Sequence, residues 1–314
     1  MSALSDPLVL FFVLGLAAGV FRTDLRIPEA IYEILAVYLL LAIGLKGGRQ
    51  LAIQGSGEIG GQVLAALVLG IVIPLIAFAI LRSAGRMGVD DAAAIAAHYG
   101  SVSAVTYAVV LAYLDRAGQA YDASVAILLV VMEVPAIAVG IALSRMGGTE
   151  RVAWGDMLRE VFLNKSIYLL LGGLAIGWAA GPERLEAFDP LFVDLFKGTL
   201  AFFLLELGIL VSHRLGDLRR VGAFLGAFGI VMPLISATLA VVAARLAGMS
   251  VGGATVLATL SASASYIAAP AAMRIAVPKA NPTLYLTAAL GVTFPFNVVF
   301  GIPLYAALAR WWYA

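Results

Sequence analysis

Cysteine is absent from all 314 residues, and histidine occurs only twice. A disulfide framework and a thiolate metal site are therefore excluded. Charge is scarce as well: Asp, Glu, Lys and Arg make up 12% of the chain, where a soluble domain carries about 25%. The balance of those charges is only +1, which argues against a nucleic-acid partner. No basic segment opens the chain, so MSALSDPLVLFF reads as the start of a first span and not as a cleaved signal peptide.

What is abundant is apolar surface. Hydrophobic residues make up 62% of the chain and the mean hydropathy is +1.02. Such a chain is solvated mainly by lipid, and a helical span needs roughly 17 to 25 apolar residues. Charge, glycine and proline punctuate ten such spans, at 5–21, 28–45, 59–81, 91–114, 122–144, 166–180, 190–211, 221–244, 251–275 and 282–309.

The spans repeat. GLAAG at 15–19 matches GLAIG at 173–177, and IVIPLI at 71–76 matches IVMPLI at 230–235. VDDAAAIAAHYGSVS at 89–103 lines up with VGGATVLATLSASAS at 251–265, and Glu133-Val134-Pro135 with Thr293-Phe294-Pro295. The offsets are 158, 159, 162 and 160, in one order along the chain. Five spans per copy is an odd number, so the second copy must enter the membrane from the opposite side, as in secondary transporters. The expected fold is an all-α polytopic membrane protein of ten helices in a 5+5 inverted repeat, with helices 4 and 9 broken and crossing. Residues 1–145 form the first repeat, 146–164 a linker and 165–314 the second repeat.

Lys and Arg set the orientation. The odd-numbered loops hold Arg22, Arg26, Arg82, Arg86, Arg145, Arg151, Arg159, Lys165, Arg214, Arg219, Arg220, Arg274 and Lys279. The even-numbered loops hold Lys46, Arg49, Arg116, Arg184 and Arg245. The positive-inside rule puts the odd loops and the linker in the cytoplasm and both termini outside, for a multi-pass protein of the cell's inner (plasma) membrane.

The fourth and ninth spans have polar centres, Tyr99-Gly100-Ser101-Val102-Ser103 and Ser261-Ala262-Ser263-Ala264-Ser265-Tyr266, the second followed by Pro270. Hydroxyl and small residues there suit broken helices whose freed backbone lines a cavity. Each break starts a half-helix with free N–H groups and a partial positive charge, and serine is a favoured N-cap. Two such N-termini near the midplane make an anion site without a buried cation. The expected substrate-binding residues are Gly100, Ser101, Ser103, Thr106, Ser263, Ser265 and Tyr266. Close helix packing through small residues is the alternative for either segment alone. An intramembrane serine protease would need a histidine base for its nucleophile, but GSVSA around Ser101 is not G-x-S-x-G and the repeat has no part in that chemistry, so an enzyme is not expected.

IPEAIYEILAVYLLLAIGLKGG at 27–48, GSVSAVT at 100–106, MEVPAIAV at 132–139, SASASYIAAPAAMRIAVPKANP at 261–282 and GVTFPFNVVFGIPL at 291–304 resemble the sodium-dependent bicarbonate transporters of the SbtA-type permease family. The resemblance implies a core of helices 3–5 and 8–10 moving elevator-fashion against a gate of helices 1, 2, 6 and 7. It also implies a homotrimer, bicarbonate held between the broken helices, sodium as the driving ion and a PII-like regulator on the cytoplasmic face. Two positions depart from the family. Its Ser-Ser-Ser-Asp is Ser263-Ala264-Ser265-Tyr266 here, and a tyrosine cannot supply that carboxylate to a cation. The linker is also shorter than the family's insert.

Glu133, where the family has Asp, lies at membrane depth and is the candidate, with Ser265, for holding a coupling ion, either sodium or a proton. No resident cofactor or metal is expected beyond that ion. Glu206 reads as an interhelical or trimer contact, His98 as a pH-sensing or substrate group or as a partner of a local carbonyl, and Arg274 as an inner-mouth charge or an interfacial anchor. The function expected is secondary active transport of a small anion, bicarbonate first. The alternatives are a proton-coupled or uncoupled carrier of a small organic anion, and an anion channel.

Overall fold

The computed structural model describes residues 6–54, 59–147, 163 and 165–314; most of the expected 146–164 linker lies outside them. Among the described residues the regular structure is entirely helical. Seven helices among these residues are long and apolar enough to cross a membrane, and Pro7–Val20 and Val251–Ser261 are shorter apolar helices.

Helix α1 (Pro7–Val20) starts behind Asp6, whose carboxylate accepts the Leu8 N–H at 2.9 Å, with proline preset for the first turn. Helix α2 (Glu29–Gln54) outruns the expected 28–45, so Lys46 and Arg49 lie inside a helix and not in a loop. The helix tolerates them because each finds a carboxylate. Lys46 Nζ is 2.8 Å from Asp115, and Arg49 Nη1 lies 2.7 and 3.0 Å from the two Asp189 oxygens. Helix α3 (Ile59–Ser83) contains Pro74. Helices α4 (Val89–Gly100) and α5 (Ala104–Ala117) divide what the hydropathy pattern gives as one span, and α6 (Val125–Ser144) contains Pro135.

Helix α7 (Lys165–Leu185) follows, with Gly181 in a left-handed conformation near its end. Helix α8 (Phe196–Leu246) is two helices run together, turning at Gly222, where φ is 83° and glycine has no steric penalty. The loop expected before residue 221 is thus a helical corner. The pair α9 (Val251–Ser261) and α10 (Ala268–Ala276) again divides one span. The last helix, α11 (Pro282–Tyr313), widens into π-turns at Thr287–Thr293 and Asn297–Gly301, on either side of Pro295. Proline has no N–H to give to the ladder, and π-turns absorb such defects.

Two helix pairs pack by glycine. In α2 and α7, Gly44 and Gly48 face Gly173 and Gly177 so closely that a Cβ on Gly44 would lie 2.5 Å from the Leu170 oxygen, and one on Gly173 2.8 Å from the Leu41 oxygen. In α1 and the first part of α8, Gly15 lies against the Leu205 carbonyl and Gly208 against that of Phe12. Small residues four apart let membrane helices approach in this way. Helices α3, α4 and α6 make another body: Gly140 packs on Ala97 and Gly70 on Met132 and Pro135. The second part of α8, α9 and α11 pack in the same manner, and Gly229 sits against Val292.

Burial separates the spans. In the 18-residue apolar stretch within Val89–Ala117, 94% of residues are buried inside the protein, against 33% in that of Ile59–Ser83. The broken segment is therefore kept from lipid, which could not satisfy its open backbone.

Polar contacts stitch the segment ends. Arg116 pairs with Asp6, and the Asp122 carboxylate accepts the Ser250 N–H and O–H at 3.1 and 2.6 Å. Elsewhere the Asn281 N–H reaches Asp91 at 2.7 Å, Arg145 Nη2 reaches the Ala276 carbonyl at 2.9 Å, and Lys165 lies 3.7 Å from Glu33.

Replacing Gly173 by leucine is expected to separate α2 from α7 and to destabilise the protein by about 1–3 kcal/mol, the usual range for overpacking. The adjacent Gly172, with nothing within 4 Å of a built Cβ, should accept leucine without that loss. Thermal unfolding of the two variants in detergent checks the contrast.

Candidate functional site

The α4/α5 break spans Ser101-Val102-Ser103, and the α9/α10 break Ala262 to Ile267. The two breaks are bonded to each other. The Ser103 N–H donates to Ser263 Oγ at 2.9 Å, and the Ser265 N–H donates to the His98 carbonyl at 2.8 Å. Each segment thus satisfies backbone groups that the other has freed.

The repeat makes Ser263 the counterpart of Ser101, and Leu260 that of His98. The two halves use these positions differently. Ser263 Oγ accepts the Ser103 amide and donates its own hydrogen to the Leu260 carbonyl at 2.7 Å, so the hydroxyl bridges amide and carbonyl. In the mate the Ser265 amide reaches the His98 carbonyl without a bridge. The Ser101 hydroxyl is consequently left over: it is buried and has no hydrogen-bond partner.

Ser103 and Ser265 do matching work. Ser103 Oγ caps α5 by accepting the Thr106 N–H at 3.1 Å, and Ser265 Oγ accepts the Ala269 N–H at 3.1 Å at the start of α10. Between the two starts lies a small cavity of about 20 Å³, lined by Val102, Ser103 and Ala104 from one break and Ser265, Tyr266, Ile267 and Ala268 from the other. Glu133 of α6, 5% exposed, and Leu40, Leu129 and Leu170 complete the wall. That volume admits one water-sized body. A larger anion enters only when a wall residue moves.

Of the expected substrate residues, Ser103, Ser265 and Tyr266 line this cavity together with Glu133. Gly100, Ser101, Thr106 and Ser263 lie off its wall. Gly100 serves close packing, since a Cβ there would be 2.6 Å from Pro74 and 2.9 Å from Ala136. The Thr106 amide is spent on the cap and the Ser263 hydroxyl on the bridge.

Tyr266 sits edge-on to Phe294, with ring centroids 5.6 Å apart, and Phe12 of α1 meets the other side of Phe294 at 5.6 Å. The Tyr266 hydroxyl lies beside the Ser103 side chain yet makes no hydrogen bond of good geometry. His98 Nδ1 is 2.6 Å from the Ala94 carbonyl and its ring stacks on Tyr285, as the local-carbonyl reading has it.

Some supporting residues have no signal in the repeat. Asn297 Nδ2 donates to the Ala262 carbonyl at 2.8 Å and its oxygen accepts the Tyr305 hydroxyl at 2.7 Å, which fixes the second break. Tyr99 and Thr293 hydroxyls meet at 2.7 Å, and Thr293 donates to the Gly229 carbonyl at 2.7 Å. An asparagine in the apolar run of α11 is itself a cue, because a buried amide in a span must be paired. A larger cavity of about 220 Å³ lies between α2 and residues 185–193, but its charged side chains are already paired, Arg49 with Asp189 and Lys46 with Asp115.

A family model described as the Na+-dependent bicarbonate transporter superfamily matches residues 7–310. The chain belongs to that superfamily. No curated protein matches it. The superfamily is one of transporters and not of enzymes, and the apolar helices make this member a multi-pass membrane protein. The residues present offer a sodium ion hard oxygens at the cavity, the Glu133 carboxylate and the Ser103 and Ser265 hydroxyls, while Tyr266 adds only a neutral hydroxyl.

Ser263→Ala should strand the buried Ser103 amide and cost about 1–3 kcal/mol. Ser101→Ala removes a hydroxyl with no protein partner and should leave stability within about 0.5 kcal/mol of the parent. Chemical or thermal unfolding of both variants measures the difference.

Proposed function

We propose that the protein is a secondary active transporter of a small anion, bicarbonate in the first place, working by alternating access. The observation that carries this reading is the bonding of the two helix breaks across one cavity. Open N–H groups at the starts of α5 and α10 border the cavity, and no Lys or Arg lines it. The half-helix ends then supply the attraction for an anion, and the free Ser101 and Tyr266 hydroxyls are the groups that solute would engage once the wall opens.

Ten crossings in two inverted five-helix repeats are part of the proposal. Two patterns support it. The glycine-packed pairs are exchanged copies: α1 with the first part of α8 stands to α7 with α2 as first repeat to second. The end contacts also keep parity. Asp6 with Arg116, Asp115 with Lys46, Asp189 with Arg49 and Asp122 with Ser250 join ends assigned outside. Asp91 with Asn281, Arg145 with Ala276 and Glu33 with Lys165 join ends assigned to the cytoplasm.

On this reading α3–α6 with the second part of α8, α9, α10 and α11 are the moving core, and α1, α2, α7 and the first part of α8 the gate. Glu133 and Ser265 hold the coupling ion. A small organic anion is the second substrate class, favoured by the exchange of the family carboxylate for Tyr266, which removes a negative charge from the site.

Reconstituted into liposomes, the protein should take up labelled bicarbonate above protein-free controls, under an inward sodium or proton gradient, and show counterflow. Ser101→Ala should raise the half-saturating concentration about ten- to hundredfold, the loss of one hydrogen bond to a charged group being worth about 1.5–3 kcal/mol. Folded protein without uptake or counterflow under either gradient would exclude bicarbonate.

A further inference from the structure

Among the described residues, two of the buried polar atoms without a hydrogen-bond partner lie near one tyrosine of the gate. The first is the Tyr266 hydroxyl at the cavity; the second is Oε2 of Glu206 in α8, a residue only 9% exposed. Tyr32 of α2 neighbours both. Its ring is stacked on Phe203 at 4.7 Å and 17°, and its hydroxyl is within electrostatic reach of both Tyr266 and Glu206. Beyond Glu206 lie the Ile27 N–H, which the carboxylate faces, and His213, which is exposed. These groups thus lead from the cavity to the end of the gate that carries Arg22 and Arg26.

A carboxylate buried with an unused oxygen is costly unless it is protonated or hydrated. The other groups around Glu206 do not neutralise it. Helix α1 contributes no titratable side chain. Glu29 and Glu33 of α2 are exposed, as are Arg22, Asp24 and Arg26 between α1 and α2. The neighbours left to exchange a proton with Glu206 are the Tyr32 hydroxyl on one side and solvent near His213 on the other.

We propose that Tyr266, Tyr32 and Glu206 form a proton route between the cavity and the cytoplasmic face, with Glu206 as the group that holds the proton. A proton arriving from the cavity bonds to the Tyr266 oxygen, which releases its own hydrogen through water to Tyr32. Tyr32 does the same toward Glu206, whose carboxylate becomes a carboxylic acid and then loses the proton to solvent. Both tyrosines end neutral, so only Glu206 changes charge. This inference rests on the anion-carrier reading and names the proton as its coupling ion, with Glu133 and Ser265 holding it at the cavity and Glu206 holding it on the way to the cytoplasm.

The test compares two measurements on reconstituted Glu206→Gln and Tyr32→Phe. The second variant keeps the ring that stacks on Phe203 and removes only the hydroxyl. The measurements are bicarbonate accumulation driven by a proton gradient, above protein-free liposomes, and bicarbonate counterflow at equal pH on both sides. Proton-driven accumulation should fall at least tenfold in both variants while counterflow stays within twofold of the parent. Loss of both activities in parallel in both variants would mean a structural role and overturn the route, as would variants equal to the parent in both. A parent protein that shows counterflow but is driven by sodium alone would remove the route and leave the carrier reading intact. A parent without counterflow would remove the carrier reading, and the route with it.

Discussion

Everything in this structure turns on satisfying the backbone groups that two helices expose when they stop inside an apolar body. Lipid and apolar side chains offer no partner there, so each freed N–H and C=O is best met by another group of the protein. Ser103 N–H to Ser263 Oγ and Ser265 N–H to the His98 carbonyl are that solution. It requires the breaks to face each other, which brings α5 and α10 start to start and leaves their remaining N–H groups around one cavity. It also fixes the neighbours. Asn297 must hold the Ala262 carbonyl, and α11 must widen into π-turns to bring that amide and Tyr305 to bear.

The breaks are legible in the sequence because they are written twice. One polar dip in an apolar segment reads equally well as close packing, whereas GSVS and SASAS at matching positions do not. The roles within the breaks are less legible. Ser101 and Ser263 are equivalent in the pattern, yet one hydroxyl is committed to a bridge and the other is free. The difference lies in whether an amide two residues on reaches a carbonyl in the other half directly, a matter of ångströms that no residue spacing encodes. Glu133 stands out in sequence by its charge and does line the cavity. Tyr32 and Tyr99 do not stand out, since tyrosines are common in membrane helices and only their partners distinguish them. Charge alone ends α2 too early, because Lys46 and Arg49 find carboxylates far along the chain, and the glycine corner at Gly222 leaves no polar signal in α8.

Tyr266 has a structural part in the packing of the second break. Its ring lies edge-on to Phe294, which in turn meets Phe12 of α1. Through one aromatic ring the second break is joined to the first helix of the chain.

The stitching of the segment ends has a mechanical consequence. The Asp91–Asn281 contact ties the first and second halves beyond one end of the broken segments, the Asp122–Ser250 contact ties them beyond the other, and the Ser103–Ser263 bond ties them in the middle. A body pinned at three levels along its length resists shear and bending between its halves. The two broken segments therefore behave as one stiff beam, its parts unable to part company at either end or at the centre.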